Sequence, residues 1–330
     1  MKELPRNTIL PGDARDVVAG LLPESVDCVV TSPPYPGVRD YGTSRQLGQT
    51  PDVGGYVAEL RPVLRALKKV LKPTGSLWLN LGDLYARHPG QGVPRGGLLL
   101  APQRVALELA ADGWIVRNIV IWQKPNPLPQ SAPDRLSPTY EVVIFATKNR
   151  RYFFDLDAIR VPHRTTTAAQ PGEAARRYRG GNSGLAGLKA AGRVGHANGK
   201  NPGDVWTVPT ATDRLGHQAT FPEELIERPI LATCPELICV QCDRPWTRLA
   251  RVLTVHSAEG MRPVRRVGEL ARCDCFAPTR PGVVLDPFFG TGTVGVVAER
   301  LERDWLGIEL NPTYRVQAAA RISRARRSAA

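Results

Sequence analysis

The stretch that most constrains this chain is Gly282-Val283-Val284-Leu285-Asp286-Pro287-Phe288-Phe289-Gly290-Thr291-Gly292-Thr293. A short apolar run ends in an acid, a glycine-rich turn follows, and Val294, Val297, Ala298 and Leu301 then repeat at helical spacing. Strand, glycine turn and helix N-terminus in that order make a ligand cradle, because the turn lets backbone N–H groups approach a bound group closely. The next apolar run, residues 305–308, leads into Glu309, 23 residues after Asp286. A carboxylate there suits the two hydroxyls of a ribose. Gly290, Gly292 and Gly295 also satisfy the dinucleotide spacing, so a nicotinamide site competes for the loop.

Strand and helix signals alternate through the first 150 residues, which predicts an α/β fold. Residues 8–10 read as a short strand before Gly12-Asp13, and residues 26–30 as a buried β-branched strand. Leu60, Val63, Leu64, Leu67 and Leu71 predict a helix within 53–71, with Pro62 forcing a kink or a late start. A strand over 76–81 and a helix between Pro102 and Gly113 follow. Residues 116–122 and 141–147 then form a β-hairpin with a long connection.

The strand over 26–30 runs into Thr31-Ser32-Pro33-Pro34-Tyr35. Proline has no N–H for a neighbouring strand and pushes the preceding residue into extended geometry, so two in a row end the strand rigidly and leave carbonyls unpaired. The aromatic, glycine-containing segment up to Thr50 suits a loop over a site.

Net charge is +13, which favours a polyanionic partner. Between residues 160 and 200 eight basic residues face the single acid Glu173. Such a segment cannot bury enough apolar surface to fold alone; it is a linker or an arm that orders on a phosphate backbone. Cys239-x2-Cys242 and Cys273-x-Cys275 offer two thiolate pairs for a tetrahedral structural Zn2+, although the second pair is closer than the common spacing. Cys28, in an apolar strand, reads as a core residue. No apolar run approaches the roughly 20 residues of a membrane span. The start also lacks a secretory hydrophobic segment, so a cytoplasmic location is expected.

Together, Thr31-Ser32-Pro33-Pro34-Tyr35 and Asp286-Pro287-Phe288-Phe289-Gly290-Thr291-Gly292-Thr293 resemble the catalytic and cofactor motifs of the amino-group DNA methyltransferases. The order, catalytic motif first, is similar to their circularly permuted β class. Gly203-Asp204-Val205-Trp206 and the stretch from His217 to Leu225 agree. The resemblance implies a Rossmann-like, seven-stranded S-adenosylmethionine-dependent methyltransferase sheet with its final pair antiparallel. It divides the chain into 1–160 (catalytic half), 161–202 (basic target-recognition segment), 203–233 (return to the main domain), 234–278 (zinc-ribbon-like insertion) and 279–330 (cofactor half).

It also implies roles. Ser32, Pro33, Pro34 and Tyr35 would carry catalysis, with Ser32 and the Pro33 carbonyl accepting from the target amine and Tyr35 stacking on a flipped base. Asp286 and the turn of Gly290, Thr291, Gly292 and Thr293 would hold the methionine part of S-adenosylmethionine, Glu309 the ribose, Asp13 the adenine side, and Phe221 and Pro222 the methionine end, with Phe288 a further cofactor-binding residue. Arg164, Arg176, Arg177, Arg179, Lys189 and Arg193 become DNA-binding candidates. Ser at position 32 is more similar to the cytosine-N4 members, with adenine-N6 as the alternative. A cytosine-C5 enzyme would need a Pro-Cys dipeptide, which the chain lacks. The implied partners are double-stranded DNA and a cognate restriction endonuclease. An NAD-dependent oxidoreductase and a non-catalytic zinc DNA-binding protein are the readings from other classes.

Overall fold

A computed structural model describes residues 3–37, 45–127, 129–162, 198–211, 221–257 and 260–329. In chain order the elements begin β1 (Thr8–Pro11), α1 (Ala14–Ala19), β2 (Val26–Thr31), α2 (Val53–Val70), β3 (Leu71–Leu81), α3 (Ala101–Ala111), β4 (Ile115–Gln123), β5 (Tyr140–Thr147) and β6 (Val205–Thr207). They continue with α4 (Glu223–Thr233), β7 (Ile238–Cys239), β8 (Thr247–Ser257), β9 (Gly260–Ala271), β10 (Thr279–Arg280), β11 (Val283–Asp286), α5 (Thr293–Arg300), β12 (Asp304–Glu309) and α6 (Pro312–Ala329).

Period-two alternation with both faces apolar marks strands covered on two sides. In β3, Leu77, Leu79 and Leu81 enter one apolar cluster and Trp78 the other. The split repeats in β5, with Val142, Ile144 and Ala146 against Val143 and Phe145, and in β12, with Leu306 and Ile308 against Trp305. Helices α1, α2 and α3 supply the first cluster; α4, α5 and α6 supply the second. The result is a three-layer sandwich with the sheet in the middle.

Among the described residues the main sheet has eight strands in the order β1-β12-β11-β2-β3-β5-β4-β6. The eighth, beyond the seven expected, is β6, a three-residue edge strand parallel to β4. The expected hairpin forms, but β5 inserts between β3 and β4, so it alone runs against its neighbours. The C-terminal ends of β1, β12, β11 and β2 therefore open onto one edge, where parallel α/β sheets bind ligands.

Two local expectations change. Helix α2 runs unbroken past Pro62 from an Asp52 cap, whose carboxylate accepts from the Gly55 N–H at 2.9 Å. The buried stripe of Leu60, Val63, Leu64 and Leu67 holds it together across the missing hydrogen bond. Leu71, expected to extend that stripe, instead opens β3. Strands β7 and β10 pair with each other, as do β8 and β9, outside the main sheet. No helix among the described residues is long and apolar enough to cross a membrane.

Candidate functional site

The site is built where β2 and β11 end side by side. Thr31 Oγ1 donates to Asp286 Oδ1 at 2.6 Å, and the Phe288 N–H donates to the same oxygen at 3.0 Å. Asp286 is only 1% exposed. Burial pushes its carboxyl up to about 7, against the pull of the Thr31 and Phe288 bonds. A buried acid with a raised proton affinity at a strand end marks a candidate ligand site.

Beyond Asp286 the chain turns through Gly290 (φ 53°) and Gly292 (φ 81°), left-handed positions that favour glycine, and enters α5. Glu309, at the end of β12, reaches across: its carboxylate accepts from the Gly290 N–H at 2.6 Å and the Asn311 N–H at 2.7 Å. Phe289 plugs the space beneath, stacked on Trp305 with ring centroids 5.3 Å apart. Gly307 is required there, since a Cβ on it would run into the Phe289 ring. Arg321 of α6 donates to the Thr291 carbonyl at 2.9 Å and to Thr291 Oγ1 at 2.8 Å, and it lies 3.6 Å from Glu223 at the start of α4. It thus ties Glu223, next to Phe221 and Pro222, to the glycine turn. Two buried carboxylates on one glycine turn suit a cofactor that carries both an ammonium group and ribose hydroxyls.

The Ser-Pro-Pro-Tyr segment lies at the end of β2, against polar side chains that the sequence reading did not single out. The Tyr35 hydroxyl donates to Glu141 Oε2 at 2.6 Å. Asn80 Nδ2 donates to the Tyr35 oxygen and to Glu141 at 2.9 Å each, and lies 3.5 Å from Ser32 Oγ. Lys124 completes the group as an ion-pair partner of Glu141. Burial and the Glu141 carboxylate hold the Tyr35 phenol well above its ordinary range, so it is a fixed donor rather than a base. A signal was present: Asn80 interrupts the apolar run of residues 77–81, and Glu141 directly precedes the apolar run of residues 142–146.

Known proteins decide the class. The DNA methylase family model for N6 and N4 enzymes matches residues 26–320. The chain belongs to the N6/N4 DNA methylase family. The methylase is 32% identical to the type II methyltransferase M.SmaI of Serratia marcescens over 96% of this chain and 91% of that protein. It is 31% identical to M.Cfr9I of Citrobacter freundii over 94% and 86%. In fold it is similar to the PvuII DNA methyltransferase described as cytosine-N4-specific, with a TM-score of 0.58 at 18% identity, covering 97% of this chain and 87% of that one. It is also similar to a proposed DNA modification methylase of Thermus thermophilus solved with S-adenosyl-L-methionine, with a TM-score of 0.54 at 24% identity over 96% and 93%. Membership in this family sets aside the oxidoreductase and the non-catalytic zinc protein.

The remaining expected residues of the methylase divide. Asp13 lies at the end of β1, where the Gly12 N–H donates to the Glu309 carbonyl at 3.2 Å. Its carboxylate caps α1 and accepts from Arg15, with Arg45 3.4 Å away. Burial works to raise its proton affinity, but Arg15 and Arg45 bring the net result below the ordinary value. The sequence reading missed both arginines. Arg164, Arg176, Arg177, Arg179, Lys189 and Arg193 lie outside the described residues. Two arginines of α6 reach back to the rest of the chain: Arg321 holds the glycine turn and Arg326 pairs with Glu299. Cys28 is a core residue, its thiol pushed up to about 12 by burial.

Cys239, Cys242, Cys273 and Cys275 come together, with every pair of sulfurs within 4.8 Å. A tetrahedral Zn2+ with bonds of about 2.3 Å needs sulfurs about 3.8 Å apart, so the cluster fits with little contraction. The thiols share protons: backbone N–H groups of Cys242 and Gln241 pull Cys239 down to about 7, while hydrogen bonds with Cys242 and Cys273 hold Cys275 up to about 12.

Proposed function

We propose that the chain transfers a methyl group from S-adenosylmethionine to the exocyclic N4 amine of cytosine in duplex DNA, in the cytoplasm, as the modification partner of a restriction endonuclease. The carrying observation is the Thr31–Asp286 hydrogen bond, which sets the Ser-Pro-Pro-Tyr segment beside the glycine turn. Asp286 and the turn from Gly290 to Thr293 hold the methionine part, Glu309 the ribose and Asp13 the adenine side, while Phe221 and Pro222 close the methionine end. Bound S-adenosylmethionine supplies an electrophilic methyl on a sulfonium.

The target amine is a poor nucleophile because its lone pair is delocalised into the ring. Ser32 Oγ and the Pro33 carbonyl accept its two N–H bonds, which turns the lone pair toward the methyl. The nitrogen–carbon bond forms as the carbon–sulfur bond breaks, and the surplus proton leaves through the acceptors to water. Tyr35, pinned by Glu141 and Asn80, offers a ring face to the flipped base.

The strand order supports a permuted methyltransferase sheet in which residues 1–160, 203–233 and 279–330 form one domain, with 161–202 reading DNA. A structural Zn2+ in the cysteine insertion belongs to the same reading and supplies no chemistry to the transfer. Digesting DNA methylated by the purified protein to nucleosides should yield N4-methylcytosine; N6-methyladenine alone would move the assignment to the adenine enzymes. Deleting 165–200 should abolish sequence-specific methylation, and intact specificity would remove that segment from DNA reading.

A further inference from the structure

The four cysteines lie at the opposite end of the sheet from the site. Asp27, near the start of β2, is five residues before Ser32, on the order of 16 Å along the strand. Around Asp27 lies a charge relay. Lys72, with its side chain 6% exposed, sits 2.9 Å from Asp27 Oδ1 and 2.8 Å from Asp243 Oδ2. Asp27 Oδ2 in turn accepts from the N–H of Val283, the first residue of β11, at 2.9 Å. Asp243 directly follows Cys242, and its other oxygen pairs with Arg280 of β10.

The cysteine turn is itself tightly specified. The Asp243 N–H donates to the Cys239 carbonyl at 3.0 Å and the Cys239 N–H to the Arg244 carbonyl at 3.1 Å. Asp243 (φ 53°) and Phe276 (φ 51°), the residues just after each cysteine pair, both sit in the left-handed region without being glycine. Such positions persist where the surroundings over-determine them. Four converging thiolates on one ion would do that.

We propose that Zn2+ on Cys239, Cys242, Cys273 and Cys275 staples the cofactor half of the sheet, by fixing the turn that presents Asp243 to Lys72 and, through Asp27, anchoring the start of β11. This rests on the metal occupying the cysteine insertion and is independent of which base is methylated. The buried Lys72 needs both carboxylates to balance its desolvation, so loosening the turn exposes the Val283 end of β11 to opening.

The test uses full-length protein purified under reducing conditions. Elemental analysis should give one zinc per chain, and Co2+ exchange should give thiolate charge-transfer and tetrahedral ligand-field absorption. Asp243→Ala should keep the metal yet melt a few degrees lower and exchange backbone hydrogens over residues 282–286 roughly tenfold faster. A strong chelator should have the same effects on the unaltered protein. Absence of both zinc and the Co2+ spectrum would remove the metal. Metal retained, with melting and exchange unchanged in the variant and after chelation, would leave an ion but overturn the staple.

Discussion

Thr31 and Asp286 are 255 positions apart in the chain and 2.6 Å apart in space. The bond joins the last residue of β2 to the last of β11, so the segment given to the target base and the turn given to the cofactor share a hydrogen bond at their roots. A shift of either strand end is felt at the other.

Replacing Thr31 with Val removes the donor and keeps the shape. Asp286 Oδ1 keeps the Phe288 N–H, so the loss is one net hydrogen bond, about 0.5–1.5 kcal/mol. Chemical denaturation should show that loss, and titration calorimetry should show weaker S-adenosylmethionine binding. Unchanged stability and affinity would make the bond incidental.

Asp286 sets a pH dependence. Its folded value of about 7 lies above that of an unfolded aspartate, so the folded state binds the extra proton. Its contribution to stability is therefore full below about pH 4 and is lost as pH rises through about 7, at up to about 1.4 kcal/mol per pH unit. Thermal melts of cofactor-free protein at pH 5 and pH 8 should show this decline, and Asp286→Asn should flatten it. If the carboxylate holds the cofactor ammonium, affinity should rise over the same interval in the unaltered protein alone.

Ser32→Ala should lower the rate of methyl transfer roughly 10²-fold, the usual effect of deleting one polar contact to a reacting group, with cofactor affinity intact. Tyr35→Phe keeps the ring and deletes the bonds to Glu141 and Asn80, so it should retain more activity than Tyr35→Ala. Single-turnover assays with tritiated cofactor separate these effects from binding.

Lys72→Met leaves Asp27 without its ion-pair partner and should cost about 3–5 kcal/mol. The double variant Asp27→Asn with Lys72→Met should recover much of that loss. Urea unfolding of the full set measures the coupling, and additive losses would argue against it.

Much of this was legible in the sequence because it rests on backbone chemistry. The glycine turn opens left-handed φ, the double proline fixes φ and the β-branched apolar runs favour extended backbone, and β2, β11 and α5 form where those local preferences point. Tertiary context decided the rest. Pro62 should have disturbed α2, but apolar burial of its neighbours outweighed one missing hydrogen bond. The strand Val205–Thr207 is too short for periodicity to detect. In the sequence Arg321 is one of several arginines over residues 315–327, and only the packing of α6 against α5 reveals that it reaches Thr291. The Asn80–Glu141–Tyr35 group joins three separate strand ends, so no local window contains it.

Phe289 and Gly307 share a single volume, the ring of one filling the space a side chain on the other would need. Such a pair has a history with a preferred order. Enlarging residue 307 fits this packing only after residue 289 has become smaller, because in the reverse order the new side chain collides with the ring beneath the glycine turn.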